Sequence, residues 1–138
     1  MQIKQLKAFT LMEILITIAI VGLLAAIAIP SYDAYAKKAR YSELVQAAIP
    51  YKRGVDLCYQ TTGSLINCRG GVNGVPPNLS TGSIASIAFI FTLSNGLIFV
   101  FPSDESGFNM VNDYYTLTPQ INNGQLLWSY GGPGVRYI

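Results

Sequence analysis

One carboxylate sits where a carboxylate is costly. Glu13 stands inside the apolar run that starts at Phe9, and sixteen consecutive uncharged residues, Ile14 to Ile29, follow it. A charge near the middle of an apolar membrane segment costs roughly 2.5–3.5 kcal/mol on insertion scales, so such a group normally has a partner. Lys4 and Lys7 precede the run, and no cation follows Glu13 before Lys37. A cut between Ala8 and Phe9 would supply one. The new α-amine would lie four residues before Glu13 on the same helical face, within reach of its own Glu13 or that of a neighbouring chain.

The other groups able to do chemistry are few. The chain has no histidine, which removes the usual general base and the commonest metal ligand. Its two cysteines, Cys58 and Cys68, cannot close a four-ligand zinc site. Their spacing is not Cys-x-x-Cys and no catalytic neighbour accompanies them, so a structural disulfide is read over a redox pair, given an oxidising compartment. Asp104 and Glu105 follow Pro102 and read as a solvated turn, with only Asp113 nearby to join them as a cation ligand. No nucleophile–base pair is legible, so no enzyme activity, cofactor or resident metal is expected.

The elements that carry these residues follow from hydropathy and punctuation. Half of the 138 residues are hydrophobic and only 12% are charged, against about 25% in ordinary soluble domains. The excess concentrates in residues 9–30, long enough at about 1.5 Å per residue to cross most of a ~30 Å hydrocarbon layer. A cleavable secretory signal ending near Ala25-Ala26-Ile27-Ala28 is the competing reading, and the buried carboxylate counts against it. Gly22 and Ala26 form a small-xxx-small pair that lets helices approach closely. Gly22 and Pro30 weaken the helix, since proline removes one backbone donor. Residues 31–58 continue as an amphipathic helix with Tyr41, Leu44, Val45, Ala48, Lys52 and Val55 on one stripe. Pro50 predicts a second bend, and Gly54 reads as a weak spot near the end. Residues 59–138 then read as a head. A turn-rich loop runs to Asn78. Strand-like runs follow at Ile84–Leu93, Leu97–Phe101, Tyr114–Thr118 and Leu126–Tyr130, with Ser94-Asn95-Gly96 and Asn122-Asn123-Gly124 as hairpin signals. The expected fold class is α+β, a long helix packed on an antiparallel sheet of about four strands.

Lys7-Ala8-Phe9-Thr10-Leu11-Met12-Glu13 resembles the class III signal of type IV prepilins and the related secretion pseudopilins. The resemblance is specific over residues 7–35 and looser beyond. It implies a leader of residues 1–8, cut by a prepilin peptidase between Ala8 and Phe9, with N-methylation of Phe9. Ala8 stands where the family usually has Gly, so slower processing is expected. Glu13 matches the family's helix carboxylate, held to bind a neighbour's N-terminus during assembly. The resemblance further implies a segment Gly22–Pro30 that is straight in the membrane and partly unwound in a fibre. Tyr115-Thr116-Leu117-Thr118-Pro119, an Asn-Gly turn and Leu127-Trp128-Ser129 look like the C-terminal hairpin of many major pilins. In those a Cys often follows the Trp-Ser. Here that position is Tyr130, so the family's C-terminal disulfide loop is missing.

The expected function is that of a filament subunit, a homo-oligomer built with minor pilins on an inner-membrane assembly platform. It would be single-pass in the bacterial inner membrane first and extracellular afterwards, serving twitching motility, adhesion or DNA uptake. A type II secretion pseudopilin or a minor pilin is the alternative. Direct DNA binding is weakly supported, because residues 59–138 hold only Arg69 and Arg136 against Asp104, Glu105 and Asp113.

Overall fold

The computed structural model describes residues 8–80, 84 and 86–138. The expected leader, apart from Ala8, lies outside the described residues, as does Ala85 of the strand-like run from Ile84. The chain resolves into two compact units, residues 1–36 and 37–138, described separately below.

The first unit is helical. Helix α1, Leu11–Ala47, begins there and continues into the second unit. It runs without interruption through Gly22 and Pro30. A single proline removes one donor from a ladder with many others, so weakening at Pro30 does not end the helix in the isolated chain. Apolar side chains surround this part of α1 on all sides. Every Leu, Ile, Val, Phe and Met from Phe9 to Ile29 is at least 47% exposed.

The second unit packs the end of α1 and helix α2, Ile49–Thr62, on one face of a sheet. The expected bend at Pro50 takes the form of an interruption two residues earlier. α1 ends at Ala47, Ala48 is a turn residue, and Pro50 occupies the first turn of α2. Proline is tolerated there because first-turn N–H groups have no intrahelical acceptor. Gly63, with a left-handed backbone, closes α2 by donating its N–H to the Tyr59 carbonyl.

The sheet is a meander, β1 (Ile87–Thr92), β2 (Ile98–Pro102), β3 (Tyr115–Asn122) and β4 (Gln125–Gly131), in spatial order β1-β2-β3-β4 with antiparallel pairs throughout. Gly96, at positive φ, and the pair Asn123-Gly124, both at positive φ, make the two hairpin turns that the sequence marks. The first strand starts later than its hydropathy indicates. A register shift between Ile87 and Phe89 inserts Ala88, so Ile87 and Ala88 are both buried although adjacent.

The stripe read on the helix is the buried one: Tyr41, Leu44, Ala48 and Val55 are essentially inaccessible, with Val45 and Lys52 partly covered at its border. Opposite them stand Ile90, Ile98, Val100, Tyr115 and Leu117, one side of each strand. Tyr51 and Gly54 are also buried, and here the sequence reading needs correction. Gly54 is a close-approach point rather than a weak spot. A Cβ there would lie 2.7 Å from Pro76 Cδ, 2.8 Å from Val75 Cα and 2.9 Å from the Gly74 oxygen. The loop after α2 crosses the helix at the residue that has no side chain.

Candidate assembly site

The start of α1 positions Glu13. Thr10 precedes the first helical residue, and its Oγ1 accepts the Glu13 N–H at 3.2 Å. In return the Glu13 carboxylate accepts the Thr10 N–H at 3.4 Å. This reciprocal arrangement is a capping box, which satisfies two of the donors left without partners at a helix start. The negative charge also lies at the positive end of the helix dipole. Thr17 Oγ1 donates to the Glu13 carbonyl at 2.7 Å one turn later. The sequence motif Thr10-Leu11-Met12-Glu13 thus encodes its own local geometry, a role that reading Glu13 only as a charge had missed. The box uses one carboxylate oxygen, and the side chain remains exposed.

Phe9 and Ala8 lie exposed just before the helix. Gly22 meets no side chain or neighbouring backbone within 4 Å. The richest 18-residue window of the helix has a mean hydropathy of 2.6 and none of it is buried. By length and composition α1 is long and apolar enough to cross a membrane. The exposed apolar surface on every side is what a segment needs if lipid covers it in one state and copies of itself in another.

In the second unit, Cys58 and Cys68 form a disulfide, with Cα atoms 5.7 Å apart, that ties the end of α2 to the following loop. Closing about ten residues contributes roughly 2.5–3 kcal/mol by loop-closure entropy. Both residues are fully buried, as a structural bridge requires.

The tail that lacks the expected cysteine is secured without one. Gly134 donates its N–H to the Tyr114 carbonyl at 2.8 Å, and Arg136 forms an ion pair with Asp113. Tyr137 packs on Tyr41 with ring centroids 5.0 Å apart and edge-on to Phe108 at 5.2 Å. Tyr41 is the hub, since its hydroxyl also donates to the Asp113 carbonyl at 2.5 Å. Burial first, then the nearby Asp113 carboxylate, pushes the Tyr41 phenol well above its ordinary range. Burial opposes ionisation of Asp113, but the Asn109 N–H and the Arg136 guanidinium outweigh it and hold the carboxyl below its ordinary value. These bonds occupy the carboxylate that was the only further ligand for a cation at Asp104 and Glu105. Asp104 itself accepts the Met110 N–H at 2.9 Å. Among the described residues no group of three metal-ligating side chains forms.

Residues 4–29 match the family described as the prokaryotic N-terminal methylation motif. Over 132 residues the chain is 38% identical to the type IV pilus subunit protein TapA of Aeromonas hydrophila, covering 95% of this chain and 93% of TapA. It is 31% identical over 134 residues to the type IV major pilin protein PilE1 of Neisseria gonorrhoeae, covering 94% of this chain and 72% of that one. The fold is similar to the solution NMR structure of the major type IV pilin PpdD from enterohemorrhagic Escherichia coli. There the TM-score is 0.54 at 26% identity, over 70% of this chain and 69% of the other. Signal, helix, sheet and near full-length similarity coincide, and the chain belongs to the type IV pilin family.

Proposed function

We propose that this chain polymerises as a type IV pilus subunit through residues 9–30, after a prepilin peptidase removes residues 1–8 and Phe9 is N-methylated. The observation that carries the reading is the fully exposed apolar α1 segment with Glu13 set at its start. In lipid the apolar side chains are already solvated by hydrocarbon, so moving them into a fibre core gains packing and little hydrophobic energy. The carboxylate differs. Left unpaired in lipid it costs up to roughly 2.5–3.5 kcal/mol, and a neighbour's α-amine relieves that cost. Glu13 therefore sets register, and Gly22 and Ala26 allow close helix approach. Pro30 and Gly22 mark where the helix yields when subunits pack. Residues 31–58 carry the head, residues 59–138. The chain rests as a single-pass protein in the inner membrane and ends on the cell surface, with minor pilins and an assembly platform as further partners. No chemical step is assigned to it.

The capping box separates two roles for Glu13. Glu13→Gln keeps an oxygen for the Thr10 N–H and removes the charge, whereas Glu13→Ala removes both. Register by charge predicts that both variants reach the membrane with folded heads and that both fail to yield sheared fibres. Normal fibre yield from Glu13→Gln would reduce Glu13 to a cap. The intact mass of the mature protein is the companion measurement. It should lack residues 1–8, carry one methyl group and show two fewer hydrogens for the disulfide. Abundance in sheared fibres marks a major subunit, traces mark a minor one, and absence marks a pseudopilin.

A further inference from the structure

The four strands contain no Lys, Arg, Asp or Glu. Charges of the second unit lie on its flanks, and their distribution is uneven. On the β4 flank, Val45, Ala48, Ile49, Leu117 and Tyr130 floor a groove of about 400 Å³ whose rim carries Lys52, Arg53 and Asp56. Asp56 is engaged, accepting the Trp128 indole N–H at 3.0 Å. Lys52 Nζ sits 5.6 Å from the centre of the same indole. Arg53 is exposed and forms no ion pair among the described residues. The groove therefore presents an apolar floor and a net positive rim.

The opposite flank presents the converse. The loop between β2 and β3 starts beside the β1 end, where Ser103 donates its N–H to the Ser86 carbonyl. It carries Asp104 and Glu105 in a 3-10 turn. The Asp104 bond to the Met110 N–H folds the loop back, bringing Val111 close behind the acids. Val111 is 70% exposed, an isolated apolar side chain on a negative knob. Glu105 is exposed and forms no ion pair among the described residues.

We propose that the occupant of the groove is a second copy of this chain, whose Glu105 faces Arg53 while its Val111 enters the apolar floor. The inference rests on the filament reading, because a contact between opposite flanks is heterologous and generates an open polymer rather than a closed dimer. Complementary charge at such a contact fixes register and excludes wrong docking. Neither Arg53 nor Glu105 makes an internal ion pair that its replacement would break, so both report on the contact rather than on folding.

The test uses the full chain expressed in cells that assemble it. Arg53→Glu and Glu105→Arg are made singly and together. Each single change should lower sheared-fibre yield about tenfold, the loss expected when one close charge pair becomes repulsive. The double change should restore yield to within about twofold, as the pair is re-formed with reversed sign. A second measurement uses Arg53→Cys with Glu105→Cys. The chain's own two cysteines are already paired, so oxidised fibres should give a ladder of multimers on non-reducing gels, absent from either single variant. Wild-type yield from both single reversals, or no ladder from intact double-cysteine fibres, overturns the contact while leaving the filament reading standing. A wild-type chain that forms no fibres in those cells overturns the filament reading, and the contact with it.

Discussion

Glycine 54 offers the sharpest test, because two effects of known sign oppose each other there. In a helix interior, Gly→Ala ordinarily stabilises by about 0.5–1 kcal/mol, through reduced backbone entropy in the unfolded chain. At Gly54 the added Cβ meets the Pro76 ring at 2.7 Å, Val75 Cα at 2.8 Å and the Gly74 oxygen at 2.9 Å. Two of the three are backbone atoms and the third belongs to a rigid ring, so none can rotate away. Overpacking of this kind costs typically about 1–3 kcal/mol, and the loop from Gly74 to Pro76 must shift to accept it. The overlap wins, and Gly54→Ala should destabilise the unit Lys37–Ile138 by about 1–2 kcal/mol net. For a unit of this size that lowers Tm by roughly 5–10 °C. The assay is thermal unfolding of the full chain in detergent, followed by near-ultraviolet circular dichroism with the disulfide intact. Gly22→Ala is the control, since nothing lies within 4 Å of its added Cβ, and Tm of the head should not move. An unchanged or raised Tm for Gly54→Ala would refute the claim that the loop needs that vacancy.

Three further outcomes follow from the packing of the head. Asp113 is 6% exposed, and its partners hold its pKa below the ordinary value of about 4. Its contribution is therefore present above that value and lost as pH falls through the lower folded value, so Tm should drop on acidification below about pH 4, with a shallower drop in Asp113→Asn. Equal slopes in the two proteins would remove Asp113 from the acid response. Replacing Cys58 and Cys68 together by serine should cost about 2.5–3 kcal/mol, a fall in Tm of roughly 10–20 °C. Reduction of the wild type should give a matching shift. Thr92 Oγ1 is buried with no hydrogen-bond partner among the described residues. Thr92→Val keeps the shape and removes an unsatisfied group, so it should raise stability by about 1 kcal/mol, and a loss measured by denaturant titration would point to a bonded hydroxyl.

Much of the architecture is legible because it rests on periodicity and local chemistry. The stripe Tyr41, Leu44, Ala48, Val55 appears in the sequence because helical spacing and burial coincide. The two hairpins appear because Asn and Gly at positive φ are written into their turns. Pro50 marked the helix break to within two residues, since missing donors act on the turn before them. The capping role of Glu13 was equally available in the Thr-x-x-Glu spacing and was overshadowed by the question of its charge.

The amino-acid sequence alone determined the assembly segment: residue types over some twenty positions suffice to specify an apolar helix, its cap and its single carboxylate. It also determined the strand order of a meander, because short turns leave consecutive strands no other neighbours. Tertiary structure alone decided what depends on residues distant in the chain. Gly54 became a crossing point because the loop at Gly74–Pro76 passes over it. The C-terminal tail found an anchor in Tyr41 and Asp113, where no cysteine was left to hold it. Lys52 and Arg53 came to rim a groove with Tyr130, while Glu105 and Val111 came to share a knob on the other flank. Hydropathy and spacing report on neighbours a few residues apart, and only the folded chain sets side chains far apart in sequence against one another, as in the bond from Tyr41 to Asp113.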